Sequence, residues 1–361
     1  MLRNTYINSS SIHMLRMMNN QLNLLPPKGD SHRLVDLESL TGDFDSSLAN
    51  LAGKKVFFRS GFSKEVIPLQ NLESITRTPP YQLQTFASQP RERRIVGIDS
   101  SCALIGETED GSILAGRVAV VSTTKSEVRT YYRAGPFIFY MNQKSLAEEL
   151  SSRLPRKAIR AILSDNSLAE RFIRVRLERS AQIHASKTNN DSIILIDGAI
   201  KSSVLETRAF CLGEVERASD ENFNQLIGFS KTSSLRFVSK AAGMLESVGK
   251  SGNFFDITDS LKVFMASLES RVLVVRFSPN SRVFRVDTSR SNAEEDSQVL
   301  ADLKFNDVFF RGYPETLRLA HHLSVFDAST ISSIRSYLSR KYGMIQVASD
   351  DLRATILGRL V

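Results

Sequence analysis

Two short apolar runs, each ending in aspartate, set the strongest limit on how this chain can fold. Arg94-Ile95-Val96-Gly97-Ile98-Asp99 and Ser192-Ile193-Ile194-Leu195-Ile196-Asp197 are short, rich in β-branched residues and bounded by turn formers. Each reads as a buried strand that ends at a carboxylate and is followed by small residues, Ser100-Ser101 in one case and Gly198-Ala199 in the other. Ligands bind in the crevice outside the ends of such strands, so an aspartate there is well placed to hold a metal. One aspartate after one apolar run is more often a turn or a helix cap. The elements lying between the two runs carry the argument further.

Ser112 to Ser122 and Val128 to Phe139 are two more β-rich runs, which with the first make a three-stranded meander. Gln143 to Leu154 has helical spacing in Leu146, Leu150 and Leu154, and Pro155 ends it. A second helix runs from Leu168 to about Lys187 without Gly or Pro, its start marked by Ser167 and Glu170 as a capping box. It carries Glu178. A strand with Asp99, two further strands, a helix with Glu178 and a strand with Asp197 follow the order in which an RNase H-like fold presents its acidic residues. The expected fold class is therefore α/β: an RNase H-like nuclease core, a mixed sheet with flanking helices, with additional helices and a β-rich N-terminal segment. Three converging carboxylates repel one another unless they share divalent cations, and Mn²⁺ or Mg²⁺ accepts such an oxygen shell. Two such ions would clamp the attacking and leaving oxygens of a phosphodiester displacement.

Glu178 has a plainer reading as the partner of Arg174 in an i, i+4 surface ion pair. Glu170, Glu148 and Glu149 compete with it for the third carboxylate. Farther on, the coarse pattern gives a helix near Lys201 to Ala218, a strand at Leu226 to Lys231, and a helix at Leu235 to Val248. A hairpin follows at Arg271 to Phe277 and Arg282 to Val286, then a mobile polar loop from Ser289 to Asp296, and a last helix over Ile331 to Leu338. In Gly312-Tyr313-Pro314-Glu315, Pro314 suits the first turn of a helix, on which His321 and His322 lie. His321 can ligate a metal, assist a leaving oxygen or contact phosphate; a helix histidine satisfied by packing is the commoner case.

Charge narrows the partners. With 47 basic and 39 acidic residues the chain carries +8, which favours a polyanion. From Arg153 to Lys187 nine basic residues stand against three acids, a face suited to a phosphate backbone and otherwise a solvated helix surface. No run reaches the roughly 18 apolar residues of a membrane span, and the two cysteines, Cys102 and Cys211, make neither a disulfide framework nor a zinc site. A reducing, cytoplasmic setting without membrane attachment is expected. No Gly-rich loop with Lys and Ser or Thr is present, so ATP hydrolysis is not expected of this chain.

At these residues the chain resembles the NurA family of DNA-end-processing nucleases, from about Arg94 to the C-terminus. The likeness rests on the Asp99 strand, the Arg-rich helix with Glu178, the Ile-Leu-Ile-Asp-Gly strand with Asp197, Gly228-Phe229-Ser230-Lys231, and Gly-Tyr-Pro with His321. It implies an RNase H-like core, a homodimer and manganese-dependent 5′ to 3′ exonuclease activity, with magnesium as the alternative ion. Single-strand endonuclease activity, and partnership with the hexameric ATPase translocase HerA in double-strand-break resection, are implied as well. Asp99, Glu178 and Asp197 would be the metal carboxylates, His321 a further ligand, Tyr313 a catalytic neighbour, and Arg171, Arg174 and Lys231 contacts to DNA. The family usually has Asp-Gly-Ser at both aspartates, where this chain has Asp99-Ser100-Ser101 and Asp197-Gly198-Ala199; serine at 100 would restrict a turn there.

The expected organisation is a disordered arm or misassigned start over 1–30, an extension contributing to core or dimer contacts over 31–90, and the nuclease domain over 91–361. Two other functions fit: an inert nuclease-fold subunit that binds DNA or serves as a scaffold for the translocase, and an RNA-directed nuclease of the same broad fold.

Overall fold

The structure, a computed structural model, describes residues 52–53, 55–57, 81–125, 127–144, 146, 156–231, 236–248, 252–262, 268, 270–279, 281–289 and 293–347. The 1–30 arm, Glu148, Glu149 and most of the expected helix from Gln143 to Leu154 lie outside them. The strands are β1 (Lys55–Phe57), β2 (Leu83–Thr85), β3 (Ile95–Glu107), β4 (Gly111–Thr124), β5 (Glu127–Asn142), β6 (Ile193–Asp197), β7 (Gln225–Ser230), β8 (Asn253–Asp256), β9 (Arg271–Arg276), β10 (Phe284–Thr288), β11 (Phe309–Phe310), β12 (Tyr313–Pro314) and β13 (Ile345–Val347). The helices are α1 (Arg156–Ser164), α2 (Asn166–Thr188), α3 (Leu212–Glu221), α4 (Arg236–Val248), α5 (Thr258–Lys262), α6 (Ala293–Asn306), α7 (Glu315–Ser324) and α8 (Ala328–Tyr342).

The centre of the sheet runs β5-β4-β3-β6-β7, with β4 antiparallel to both neighbours and β6 and β7 parallel to β3. That is the RNase H-like arrangement: a meander of three strands, then parallel strands added on the far side of the first. An antiparallel extension, β10, β9, β8 and β2, continues beyond β7. From the N-terminal extension, β1 joins β3 and β13, and β2 joins β8.

Helix α2 covers one face. Its Phe172, Ile173 and Leu177 meet Val96, Ile98, Leu114 and Ile194 in one core cluster, and Gly116 lets them close in, since a Cβ there would lie 2.6 Å from Leu177 Cδ1. The other face buries Ile95, Leu195, Ile227 and Phe229 under α6 and α7. Apolar residues on both faces explain why β6 reads as an unbroken Ile-Ile-Leu-Ile run rather than an alternating one.

Several sequence expectations are corrected. The first strand does not end at Asp99: β3 continues to Glu107, because its whole length pairs with β4. Helix α2 is capped by Asp165, whose side chain accepts the Ser167 N–H, while Glu170 turns away to accept the Leu104 N–H. The helix near 201–218 begins only at Leu212, because Glu206 is drawn inward to Arg179 at 2.8 Å and caps the Leu212 N–H. The loop from Ser289 to Asp296 is helical from Ala293, and Asp296 is buried against Arg271 and Thr288. Of the basic run on α2, Arg176 and Arg179 are buried, so it is not simply a solvated face.

Candidate metal centre

Asp99 lies in mid-strand on β3, where its side chain is almost fully buried, at 2% exposure. Parallel pairing of β3 with β6, which sets Ile98 beside Ile196, brings Asp197 to the same level of the sheet. The third element is α7. Gly97 makes its approach feasible, since a Cβ at 97 would sit 2.8 Å from Thr316 Cγ2 and 3.0 Å from the Thr316 backbone. Helix α7 thereby delivers His321 to β3, with Nδ1 2.7 Å from Asp99 Oδ2. One turn later Ser324 donates its hydroxyl to the same Oδ2 at 3.2 Å.

Asp99, Asp197 and His321 each offer a ligand atom, and the three atoms lie within 4.8 Å of one another. Two hard oxygens with one imidazole nitrogen form a donor set that fits a divalent cation of the manganese type. Both oxygens of Asp197 are engaged: Lys231 Nζ donates to Oδ2 at 2.8 Å, and Tyr313 OH donates to Oδ1 at 3.1 Å. Burial, with Asp197 alongside, pushes the Tyr313 phenol far above its usual value, so it remains a protonated donor.

Glu178 stands beside this trio. Its Oε1 accepts the Ser100 hydroxyl at 2.9 Å and lies 3.4 Å from Arg174 Nη2. Burial and the nearby Asp99 charge raise its carboxyl above the ordinary range, with Arg174 and Ser100 opposing the shift. Arg174 senses all three carboxylates: burial works against its charge, but Glu178, Asp99 and Asp197 hold it above its usual value. The i, i+4 pair expected of Glu178 thus exists, on a helix face turned toward the aspartates rather than away from them. Glu170 is occupied with β3. Arg171 is exposed, and no contact joins it to the trio.

Two contributors have roles that the sequence does not show. Ser324 has the same i, i+3 spacing from His321 that a shared helix face requires, so the signal was present. Ser100, expected in a turn, is extended backbone paired with Val118, so serine costs no turn geometry and supplies a hydroxyl. His322, one residue beyond His321, lies 3.4 Å from Arg318 at its Nε2. The restriction of a turn expected from serine at 100 therefore does not arise.

The NurA domain model matches residues 93–326, well over half of the chain. Among solved structures, the chain is similar to the NurA nuclease from Sulfolobus solfataricus, at 14% identity and TM-score 0.45 over 94% of this chain and 98% of that one. It is similar to a NurA bound to dAMP and manganese at 10% identity and TM-score 0.40, over 69% and 88%. The catalytic domain of human endonuclease V matches at 14% identity and TM-score 0.32, over 87% and 100%. No curated protein matches significantly. The family match spans both aspartate strands, the Glu178 helix and the helix carrying His321, and the chain belongs to the NurA family.

Proposed function

We propose that this chain is a divalent-metal-dependent DNA nuclease. It would act as a 5′ to 3′ exonuclease on single- and double-stranded DNA and as an endonuclease on single strands, with manganese preferred and magnesium the alternative. The observation that carries the reading is the convergence of Asp99, Asp197 and His321 within 4.8 Å, beside Glu178, in the RNase H-like sheet of a NurA-family chain.

When bound, the ions supply Lewis acidity to the scissile phosphate and to the water that attacks it. The rest falls to the protein. Asp99 and Asp197 concentrate negative charge at the sheet centre, and Ser324 and His321 fix the rotamer of the first. Tyr313 and Lys231 fix the second, and Lys231 offers a cation to a phosphate oxygen once Asp197 is otherwise engaged. Arg174, half-exposed beside Glu178, is placed to hold the next phosphate of the strand. The chain would work as a homodimer in double-strand-break resection with a HerA-type hexameric ATPase.

The test uses purified protein with 5′- and 3′-labelled single- and double-stranded DNA, with Mn²⁺, Mg²⁺ or EDTA, alongside Asp197→Ala. Manganese-dependent shortening from the 5′ end, lost in the variant, supports the reading. Cleavage unaffected by the variant overturns the site, and no cleavage with or without an ATPase partner returns the inert-subunit reading. Competition with unlabelled RNA separates DNA from RNA as substrate.

A further inference from the structure

The hairpin of β11 and β12 turns tightly. Phe310 and Tyr313 face each other across a two-residue loop in which Arg311 and Gly312 both have positive φ, 54° and 89°. Such a turn twists in the sense that strands prefer and is rigid for its size. Its neighbouring aromatic residues go opposite ways. Phe309 stacks on Phe277 at 4.3 Å, and Tyr313 is buried against Phe229 and bonded to Asp197. Phe310 points out, 54% exposed, with the guanidinium of Arg318 at 5.2 Å and that of Arg311 at 5.5 Å from its ring.

This aromatic ring is continuous with the candidate metal centre by two routes. Through the hairpin it stands across from Tyr313, whose hydroxyl reaches Asp197. Along α7, Arg318 lies 3.4 Å from His322, whose ring is 6.1 Å from that of His321 on Asp99. Glu315 also binds Arg318, fixing the orientation of its guanidinium and offsetting part of its charge. Arg311 is exposed. An aromatic ring still 54% exposed, with guanidinium groups over it and next to a site for phosphodiester chemistry, matches the needs of an unpaired nucleobase and its phosphates.

We infer that Phe310, flanked by Arg311 and Arg318, is a stacking platform for an unpaired base of single-stranded DNA adjacent to the scissile phosphate. The inference rests on the nuclease reading and adds to it a residue that would hold the strand without touching the reacting atoms. Phe310 is thus a positioning residue. Its removal should weaken capture of an unpaired strand while leaving the metal centre intact.

The experiment measures fluorescence anisotropy of a labelled oligothymidine and of a blunt duplex in EDTA, where cleavage is blocked. The proteins are the wild type, Phe310→Ala, Phe310→Tyr and Arg311→Ala. Loss of one stacked base predicts roughly tenfold weaker oligothymidine binding for Phe310→Ala. Phe310→Tyr should bind as wild type, and the blunt duplex should change little. Arg311→Ala should lower the salt dependence of binding by about one counterion. Unchanged oligothymidine affinity in Phe310→Ala overturns the platform. So does a change in oligomeric mass by light scattering, which would assign the ring to an interface between copies. If wild type cleaves DNA in Mn²⁺ while Phe310→Ala binds normally, only the platform fails; if wild type neither binds nor cleaves, the nuclease reading fails with it.

Discussion

Ser100 donates its hydroxyl to Glu178 across 2.9 Å, linking the residue that follows the first aspartate to the helix glutamate 78 positions later. The bond ties β3 to α2 at the edge of the metal centre. Outer-shell partners of this kind orient acidic groups, and removing one typically costs 10- to 100-fold in metal affinity or activity. Ser100→Ala should therefore weaken Mn²⁺ binding by about tenfold, as read by calorimetric titration, with little change in melting temperature. Wild-type affinity in the variant would place Glu178 outside the metal centre.

Gly97 controls how closely α7 approaches the sheet. In Gly97→Ala the new methyl meets the Thr316 backbone at 3.0 Å, and the helix must move. Overpacking of this kind costs about 1–3 kcal/mol. Because α7 also carries His321 and Ser324, the same variant should lose metal affinity. Denaturant unfolding and Mn²⁺ titration of one sample check both effects, and a destabilised variant that binds metal normally would show that α7 does not set the site.

The buried pair of Arg179 and Glu206 fastens the 201–211 segment to α2. Arg179 also donates to Gln182 and to the Lys201 carbonyl, and Glu206 accepts the Leu212 N–H. Glu206→Ala leaves a buried guanidinium without its counter-charge, at a cost of roughly 3–5 kcal/mol. The denaturation midpoint reads this directly, and a loss below about 1 kcal/mol would mean that water replaces the carboxylate.

Asp307 gives the fold a pH dependence. Burial pushes its carboxyl up to about 7, despite hydrogen bonds from Thr316 and Val308. The unfolded value is near 3.9, so between about pH 4 and 7 the native state holds a proton that the unfolded state has released. The contribution of this group to stability accordingly falls as pH rises through that window, and the full penalty applies above pH 7. Asp307→Asn should flatten this slope between pH 5 and 7.5 in urea midpoints; an unchanged slope would assign the dependence to other groups.

The pieces of the site visible in the sequence were those carried by local pattern. Asp197 ends a run whose apolar residues face cores on both sides, and α2 shows itself by the absence of Gly and Pro over its length. Asp99 is legible in the sequence but its setting is not: nothing local reveals that β3 runs on past it, because that depends on pairing with β4 along 95–107. The same limit hid the role of Ser100, whose partner is 78 residues away, and the unwound start of the 201–218 segment, which depends on Arg179. Acids whose partners lie far off in the sequence are the least legible: Asp296 is buried against Arg271 and Asp302 against Arg93.

The central claim is that Asp99, Asp197 and His321 hold a divalent cation together. Titration of Mn²⁺, followed by the loss of its free-ion electron paramagnetic resonance signal, tests it in wild type, Asp99→Asn, Asp197→Asn and His321→Ala without reference to cleavage. Tight binding in wild type, weakened in all three variants while their melting temperatures stay close to wild type, is the result predicted. Wild-type binding in both aspartate variants would contradict it and place the metal, and with it the chemistry, elsewhere in the chain.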